Sequence, residues 1–88
     1  MANISFSEDS FEEFLSWGNE DKKTQKKIKQ LIKEALRTPF NGKGKPEPLK
    51  HDKEGRWSRR INEKDRLVYK FENDILTIYQ CKGHYDDK

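Results

Sequence analysis

The sequence predicts a single α+β domain in which an N-terminal helical hairpin packs on one face of an antiparallel β-sheet. Two helical patterns with capping residues occupy the first half of the chain. Three alternating segments joined by short turns occupy the second half. A chain of 88 residues is the size of one small domain, so residues 1–88 are predicted to form a single domain.

The first half reads as a short strand followed by two helices. Residues 3–6 alternate apolar and polar side chains, and Ser7 is a candidate N-cap for a helix that we expect to end at Gly18. Asp21 can cap a second helix, in which apolar residues recur at helical spacing until Pro39 stops it. We expect the two helices to pack as an antiparallel hairpin.

Residues 41–55 read as a long loop, with three glycines and two prolines. Pro46 and Pro48 flank Glu47 and restrict the backbone on either side of it. Loops of this length are usually functional or disordered. This stiffening predicts a held carboxylate, and the alternative is a generic exposed glutamate in a linker.

The three later strands span about residues 56–62, 65–72 and 75–82 and form an antiparallel meander. A two-residue turn at Asn73-Asp74 would pair Lys70 with Thr77, Val68 with Tyr79 and Arg66 with Cys81. Leu67, Tyr69 and Phe71 would then point to one face of the sheet, and Arg66 to the other. By the same alternation Tyr85 shares the face of Arg66, whereas His84 falls on the opposite one unless the chain bends at Gly83.

Charge is strongly segregated along the chain. Residues 22–60 carry fourteen basic and four acidic side chains, whereas residues 1–21 carry six acids and no Lys or Arg. Such a basic block predicts a polyanionic partner. A solvated lysine-rich helix face is the alternative, and arginines beyond the helix favour nucleic acid.

Compartment and cofactor classes follow from the rest of the composition. The single Cys81 cannot form an intramolecular disulfide, which fits a reducing compartment. No signal-peptide pattern or membrane-length apolar run is present, so a cytoplasmic location is expected. Two distant histidines and one cysteine match none of the usual metal-ligand spacings, so neither metal nor cofactor is predicted.

Three residues could together cleave a phosphodiester without a metal. Glu47 could accept a proton, Arg66 could hold a phosphate, and His84 could return a proton to the leaving oxygen. The alternatives are a salt bridge from Arg66 to a neighbouring acid and a surface histidine without a role. Arg59 and Arg60 point to opposite faces, so at most one of them lies beside Arg66. The remaining candidates for RNA or phosphate contact are Tyr85, Lys50 and His51.

These motifs resemble those of a known family, the YoeB/Txe toxins of the RelE superfamily in bacterial toxin–antitoxin systems. The resemblance lies in residues 37–51, with the run Gly-Lys-Gly-Lys-Pro-Glu-Pro-Leu-Lys-His, in residues 57–61 and 66–69, and in the terminal His84-Tyr85. It covers nearly the whole chain. Family members often stop at the tyrosine, whereas three residues follow it here.

The resemblance implies a microbial-ribonuclease-like fold and a ribosome-dependent endoribonuclease that cuts mRNA in the ribosomal A site. Glu47 would be the general base on the 2′-OH, Arg66 the stabiliser of the phosphate, and His84 the general acid, with Tyr85 assisting. The product would carry a 2′,3′-cyclic phosphate. The implied partners are a YefM/Axe-type antitoxin, the 70S ribosome with its mRNA, and a second copy in a homodimer.

We assign ribosome contact to the lysines of the second helix and of the loop. They are Lys22, Lys23, Lys26, Lys27, Lys29, Lys33, Lys43 and Lys45. Two other function classes stay open at this point. A non-catalytic RNA- or ribosome-binding module would need the basic block but not Glu47 or His84. A purely structural partner domain would need neither the basic block nor these two residues.

Overall fold

The structure, a computed structural model, describes residues 2–83, and these residues form two helices and five strands. In chain order the elements are β1 (Asn3–Phe6), α1 (Glu8–Glu20), α2 (Lys22–Arg37), β2 (Glu47–Pro48), β3 (Trp57–Arg60), β4 (Arg66–Glu72) and β5 (Ile75–Gln80). Neither helix in this range combines the length and the apolar character needed to cross a bilayer.

Both predicted N-caps are confirmed. The Ser7 hydroxyl accepts a hydrogen bond from the Ser10 N–H at 3.2 Å, and the Asp21 carboxylate accepts from the N–H groups of Lys23 and Thr24. These side chains satisfy donors that a helix start would otherwise leave unpaired. The second helix ends at Arg37, before Pro39, as predicted.

The predicted end of the first helix at Gly18 is wrong by two residues. Helix α1 continues to Glu20, and its last turn closes when the Asp21 N–H donates to the Trp17 carbonyl at 2.8 Å. A Cβ atom on Gly18 would lie 3.1 Å from Nε2 of Gln25 on helix α2. The glycine therefore allows the two helices to approach each other and does not stop the first one.

The sheet has the order β1-β5-β4-β3-β2 and carries the helices on one face. The meander of β3, β4 and β5 is antiparallel, as predicted. Strand β1 pairs in parallel with β5, so the sheet is mixed and not wholly antiparallel. Two residues of the predicted loop form β2, which extends the sheet at its opposite edge. The predicted α+β class and the helical hairpin are confirmed.

The β4–β5 hairpin contains a bulge that changes its register. Asn73 and Asp74 both have positive φ, and Lys70 lies opposite Thr77 as predicted. Further along, Tyr69 pairs with Ile78 but Val68 pairs with Gln80. The predicted pairing of Val68 with Tyr79 is therefore wrong, because Tyr79 is an extra residue on β5 that reverses the alternation after it.

The core lies between the helices and the inner face of the sheet. Leu67 and Tyr69 of β4 are fully buried in it, and Phe71 packs against it, as the alternation predicted. Trp17 anchors α1 to the sheet by donating from Nε1 to the Cys81 carbonyl at 2.9 Å. Burial raises the pKa of the Cys81 thiol to about 12, so this side chain acts as a core residue at neutral pH.

Candidate active site

A small groove on the sheet face opposite the helices brings two of the predicted catalytic residues together. It has a volume of about 80 Å³, and its lining residues are Lys45, Glu47, Ser58, Arg60 and Arg66. The register explains this set, since Glu47 lies opposite Ser58 and Arg60 lies opposite Arg66. One carboxylate, one hydroxyl and three cations therefore share a single cleft.

Glu47 reaches the groove because the loop around it is ordered by the sheet. Its strand partner is Ser58, and the Leu49 N–H donates to the Arg56 carbonyl at 3.0 Å just beyond β2. Pro48 lacks a backbone donor and is tolerated because β2 is an edge strand. Strand pairing thus fixes the main chain of Glu47, in addition to the restriction from the flanking prolines, whereas its side chain is exposed.

An ion pair closes the turn that follows β2. The Asp52 carboxylate accepts from the Arg56 backbone N–H at 2.7 Å and from its Nη2 at 2.9 Å. These hydrogen bonds from Arg56 hold the pKa of the Asp52 carboxyl below its ordinary value. The carboxylate therefore stays ionised at neutral pH and ties the two ends of the turn together.

Arg66 is held by backbone carbonyls. Its Nη1 donates to the carbonyl oxygens of Asn62 at 2.6 Å, Glu63 at 3.2 Å and Asp65 at 3.1 Å. Arg66 does not form the alternative salt bridge to Glu63 or Asp65, since no carboxylate within residues 2–83 pairs with this guanidinium. Its positive charge is oriented without being neutralised there.

The neighbouring arginines take opposite roles, as the alternation of β3 requires. Arg60 is exposed and lines the groove. Arg59 is fully buried, and its guanidinium donates to the Tyr69 hydroxyl at 3.0 Å and to the carbonyls of Lys43 and Thr38 at 3.0 and 2.5 Å. The assignment of Arg59 to phosphate contact is therefore corrected, because its donors are used inside the protein.

The buried guanidinium of Arg59 organises the glycine-rich part of the loop. It also donates to the carbonyl of Asn41 at 2.9 Å. Nearby, the Arg60 N–H donates to the carbonyl of Gly44 at 2.7 Å. Gly44 has a φ of +86°, and a Cβ there would lie 3.1 Å from the Cβ of Arg59. A residue without a side chain is thus needed where the loop passes over β3.

The other predicted RNA contacts are placed outside the groove or outside the described residues. Lys50 and His51 are exposed in the turn after β2 and do not line the groove. His84 and Tyr85 lie outside the residues that the structure describes. The last described residue, Gly83, is hydrogen-bonded to the strand that carries Arg66, because its carbonyl accepts from the Arg66 N–H at 3.0 Å.

The groove continues onto a basic surface. An adjacent cavity of about 310 Å³ is lined by Lys27, Gln30, Leu31, Lys43, Gly44, Lys45 and Arg60. Lys45 and Arg60 are common to both cavities, so positive charge extends without a break from the groove to helix α2. The other five lysines predicted for ribosome contact on this helix are also exposed: Lys22, Lys23, Lys26, Lys29 and Lys33.

Ser58 was not predicted as a site residue, and Lys45 was predicted only for ribosome contact, although both line the groove. Ser58 precedes Arg60 by two residues on the same strand, so strand alternation could have identified it. Within residues 2–83, no three His, Cys, Asp or Glu side chains are grouped closely enough to hold a metal ion.

Known proteins resemble this chain over almost its full length. The profile of a family described as the YoeB-like toxin of bacterial type II toxin–antitoxin systems matches residues 6–85. A curated relative, Toxin YoeB of Escherichia coli strain K12, is 55% identical over 80 residues, which cover 91% of this chain and 95% of the relative.

Solved structures share the fold. The YoeB dimer from Staphylococcus aureus superposes with a TM-score of 0.89 at 44% identity, covering 96% of this chain and 98% of that one. The heterotetrameric YoeB-YefM toxin–antitoxin complex from the same organism gives a TM-score of 0.86 at 43% identity, covering 97% and 99%. The arrangement of helices and strands described above is therefore the one that these proteins adopt.

Proposed function

The chain belongs to the YoeB-like toxins of bacterial type II toxin–antitoxin systems, and we propose that it is a ribosome-dependent endoribonuclease that cleaves mRNA in the A site. The single observation that carries this proposal is the shared groove of Glu47, Arg60 and Arg66. Attack by a 2′-OH on the adjacent phosphate requires a base and groups that stabilise negative charge. The carboxylate can act as the base, and the two guanidinium groups can stabilise the charge.

The reaction proceeds by transesterification. Glu47 removes the proton from the 2′-OH, and the 2′-oxygen forms a bond to phosphorus. Arg66 and Arg60 stabilise the negative charge that accumulates on the phosphoryl oxygens, and Lys45 adds to this field from the edge of the groove. The bond from phosphorus to the 5′-oxygen breaks, which leaves a 2′,3′-cyclic phosphate and a 5′-hydroxyl. The cations of the chain supply the charge, so the proposed reaction needs no metal.

His84 is proposed as the acid that protonates the leaving 5′-oxygen, with Tyr85 assisting. Two observations support this role. The bulge at Tyr79 reverses the strand alternation on which the expectation of an opposite face for His84 depended. In addition, Gly83, which immediately precedes His84, is hydrogen-bonded to the backbone of Arg66.

The proposed partners follow from charge and from the relatives. The lysines of α2 and of the loop would contact ribosomal RNA, while Lys50 and His51 would contact RNA phosphates beside the groove. A YefM-type antitoxin and a homodimer are proposed by analogy with the Staphylococcus aureus complexes. Because the ribosome is the site of action, we place the protein in the cytoplasm.

The chemistry of the cut ends tests the proposal. Purified protein is added to 70S ribosomes stalled at a defined codon, and the 3′ ends of the mRNA are mapped and treated with a phosphatase that spares cyclic phosphates. We expect a cut within the A-site codon whose 3′ end resists the phosphatase until acid opens the ring. Stalling without a cut would instead support a non-catalytic ribosome-binding module.

Binding of the protein to ribosomes is expected to weaken steeply as salt rises. Each phosphate contact releases condensed counterions, so three to five contacts by the α2 and loop lysines would lower affinity roughly 10²-fold between 50 and 200 mM salt. Sedimentation with ribosomes across this range measures the slope. Neutralising Lys26 and Lys27 should make the slope shallower, and a flat response in the unmodified protein would remove the basic surface as the docking site.

A further inference from the structure

The turn between β3 and β4 contains a buried carboxylate that the proposed reaction does not use. Asp65 is only 2% exposed, and a buried charge is costly unless hydrogen bonds compensate it. Its Oδ2 accepts from Nδ2 of Asn62 at 2.9 Å, within the turn. Its Oδ1 accepts from the N–H of Gly83 at 2.7 Å, and Gly83 lies beyond the end of β5. One oxygen thus serves the turn and the other reaches a distant part of the chain.

Gly83 is held on both sides of its Cα atom. Its N–H donates to Asp65, while its carbonyl accepts from the Arg66 N–H at 3.0 Å and from Nε2 of Gln80 at 3.0 Å. Its φ of +91° is a conformation that glycine adopts readily. These three hydrogen bonds fix the peptide groups immediately before residue 84.

The same turn also fixes the guanidinium of Arg66. Oδ1 of Asn62 accepts from the N–H groups of Lys64 and Asp65, which closes the turn. Carbonyls of this turn then hold Nη1 of Arg66. Asp65 is therefore the link between the element that orients the phosphate-binding side chain and the main chain that leads into His84.

We propose that Asp65 is a positioning residue for the general acid: its carboxylate fixes the main chain at Gly83, the residue that immediately precedes His84. This inference rests on the proposed function, since it requires His84 to protonate the leaving oxygen. Asp65 contributes through this placement, and a displacement of about 1 Å in a catalytic group can cost roughly 10²-fold in rate.

A double-mutant cycle with His84 tests the inference. Single-turnover cleavage on programmed ribosomes is measured for the wild type, Asp65→Ala, His84→Ala and the double variant. We expect Asp65→Ala to slow cleavage about 10–100-fold alone but less than about twofold in the His84→Ala background, because the side chain that Asp65 is proposed to position is then absent. Asp65→Asn should restore part of the rate, since its amide oxygen can still accept from Gly83.

Asp52→Ala provides the matched control. It removes another carboxylate that is hydrogen-bonded and only 5% exposed, but one that does not contact Gly83. Any loss it causes should be equal in both backgrounds. An equal loss for Asp65→Ala in both backgrounds would overturn the positioning role, whereas cleavage by His84→Ala at the wild-type rate would overturn the proposed function instead.

Amide hydrogen exchange gives a readout that is independent of activity. The Gly83 amide should exchange at least about tenfold faster in Asp65→Ala than in Asp52→Ala, because it loses its acceptor while the rest of the fold is retained. Amides of the central strand β4 should keep their protection in both variants. Unchanged exchange at Gly83 would show that Asp65 does not hold this segment.

Discussion

Replacing Glu47 with glutamine is expected to lower the rate of the proposed mRNA cleavage on the ribosome about 10²–10⁴-fold, which is the usual contribution of general acid–base catalysis. Glutamine keeps the size and the hydrogen-bonding shape of the side chain but cannot accept the 2′-OH proton. Because Glu47 is exposed and its strand is held by backbone pairing, the variant should fold normally. The measurement is single-turnover cleavage with saturating programmed ribosomes.

The matched control for this prediction is Glu54→Gln. Glu54 is exposed in the loop between β2 and β3 and does not line the groove, yet it carries the same charge and undergoes the same substitution. Its cleavage rate should stay within about twofold of the wild type, as expected for a surface change away from the site. A Glu47→Gln variant that cuts as fast as the Glu54→Gln variant would remove Glu47 from the reaction.

Replacing Arg59 with methionine is expected to destabilise the fold by about 3 kcal/mol or more. The change removes the donors for the Tyr69 hydroxyl and for three loop carbonyls, and each buried group left unsatisfied costs about 1–3 kcal/mol. In a domain of this size, 3 kcal/mol corresponds to a fall in the melting temperature of roughly 12–24 °C. Calorimetry or thermal circular dichroism would measure it.

Arg60→Met is the natural counterpart, because the two arginines are adjacent and lie on opposite faces of β3. Arg60 is exposed, so its replacement should change the free energy of unfolding by less than about 0.5 kcal/mol. The melting temperature should therefore stay close to that of the wild type. The replacement should nevertheless slow cleavage, since Arg60 lines the groove. If Arg59→Met melted at the wild-type temperature, the buried guanidinium would not be the anchor of the loop.

The helices and the central meander could be predicted because their signals are local. Ser7 and Asp21 cap helices with side chains that follow known rules, and the alternation in β4 separates the buried Leu67 from the groove-lining Arg66. The same alternation established that only one of the two adjacent arginines could reach the groove. Residue chemistry together with a period of two or 3.6 was sufficient for these features.

Other features depended on contacts between distant parts of the chain. The edge strands β1 and β2 have only four and two residues, so their sequences do not indicate which strand each of them pairs with. The bulge at Tyr79 has no composition signal, and it changed the register that the hairpin turn had implied. The burial of Arg59 was equally hidden, because its acceptors are main-chain carbonyls from a loop about twenty residues earlier in the chain.

The parallel pairing of β1 with β5 has a consequence for how the toxin is made. Asn3 pairs with Ile75 and Phe6 with Ile78, so β1 cannot join the sheet until β5 has been synthesised. Such long-range pairing slows folding and leaves little for the early chain to complete alone. Strand β4, which carries Arg66, likewise gains its β5 neighbour late in synthesis. We therefore expect the nascent chain to complete the sheet that carries the groove only after β5 has been synthesised.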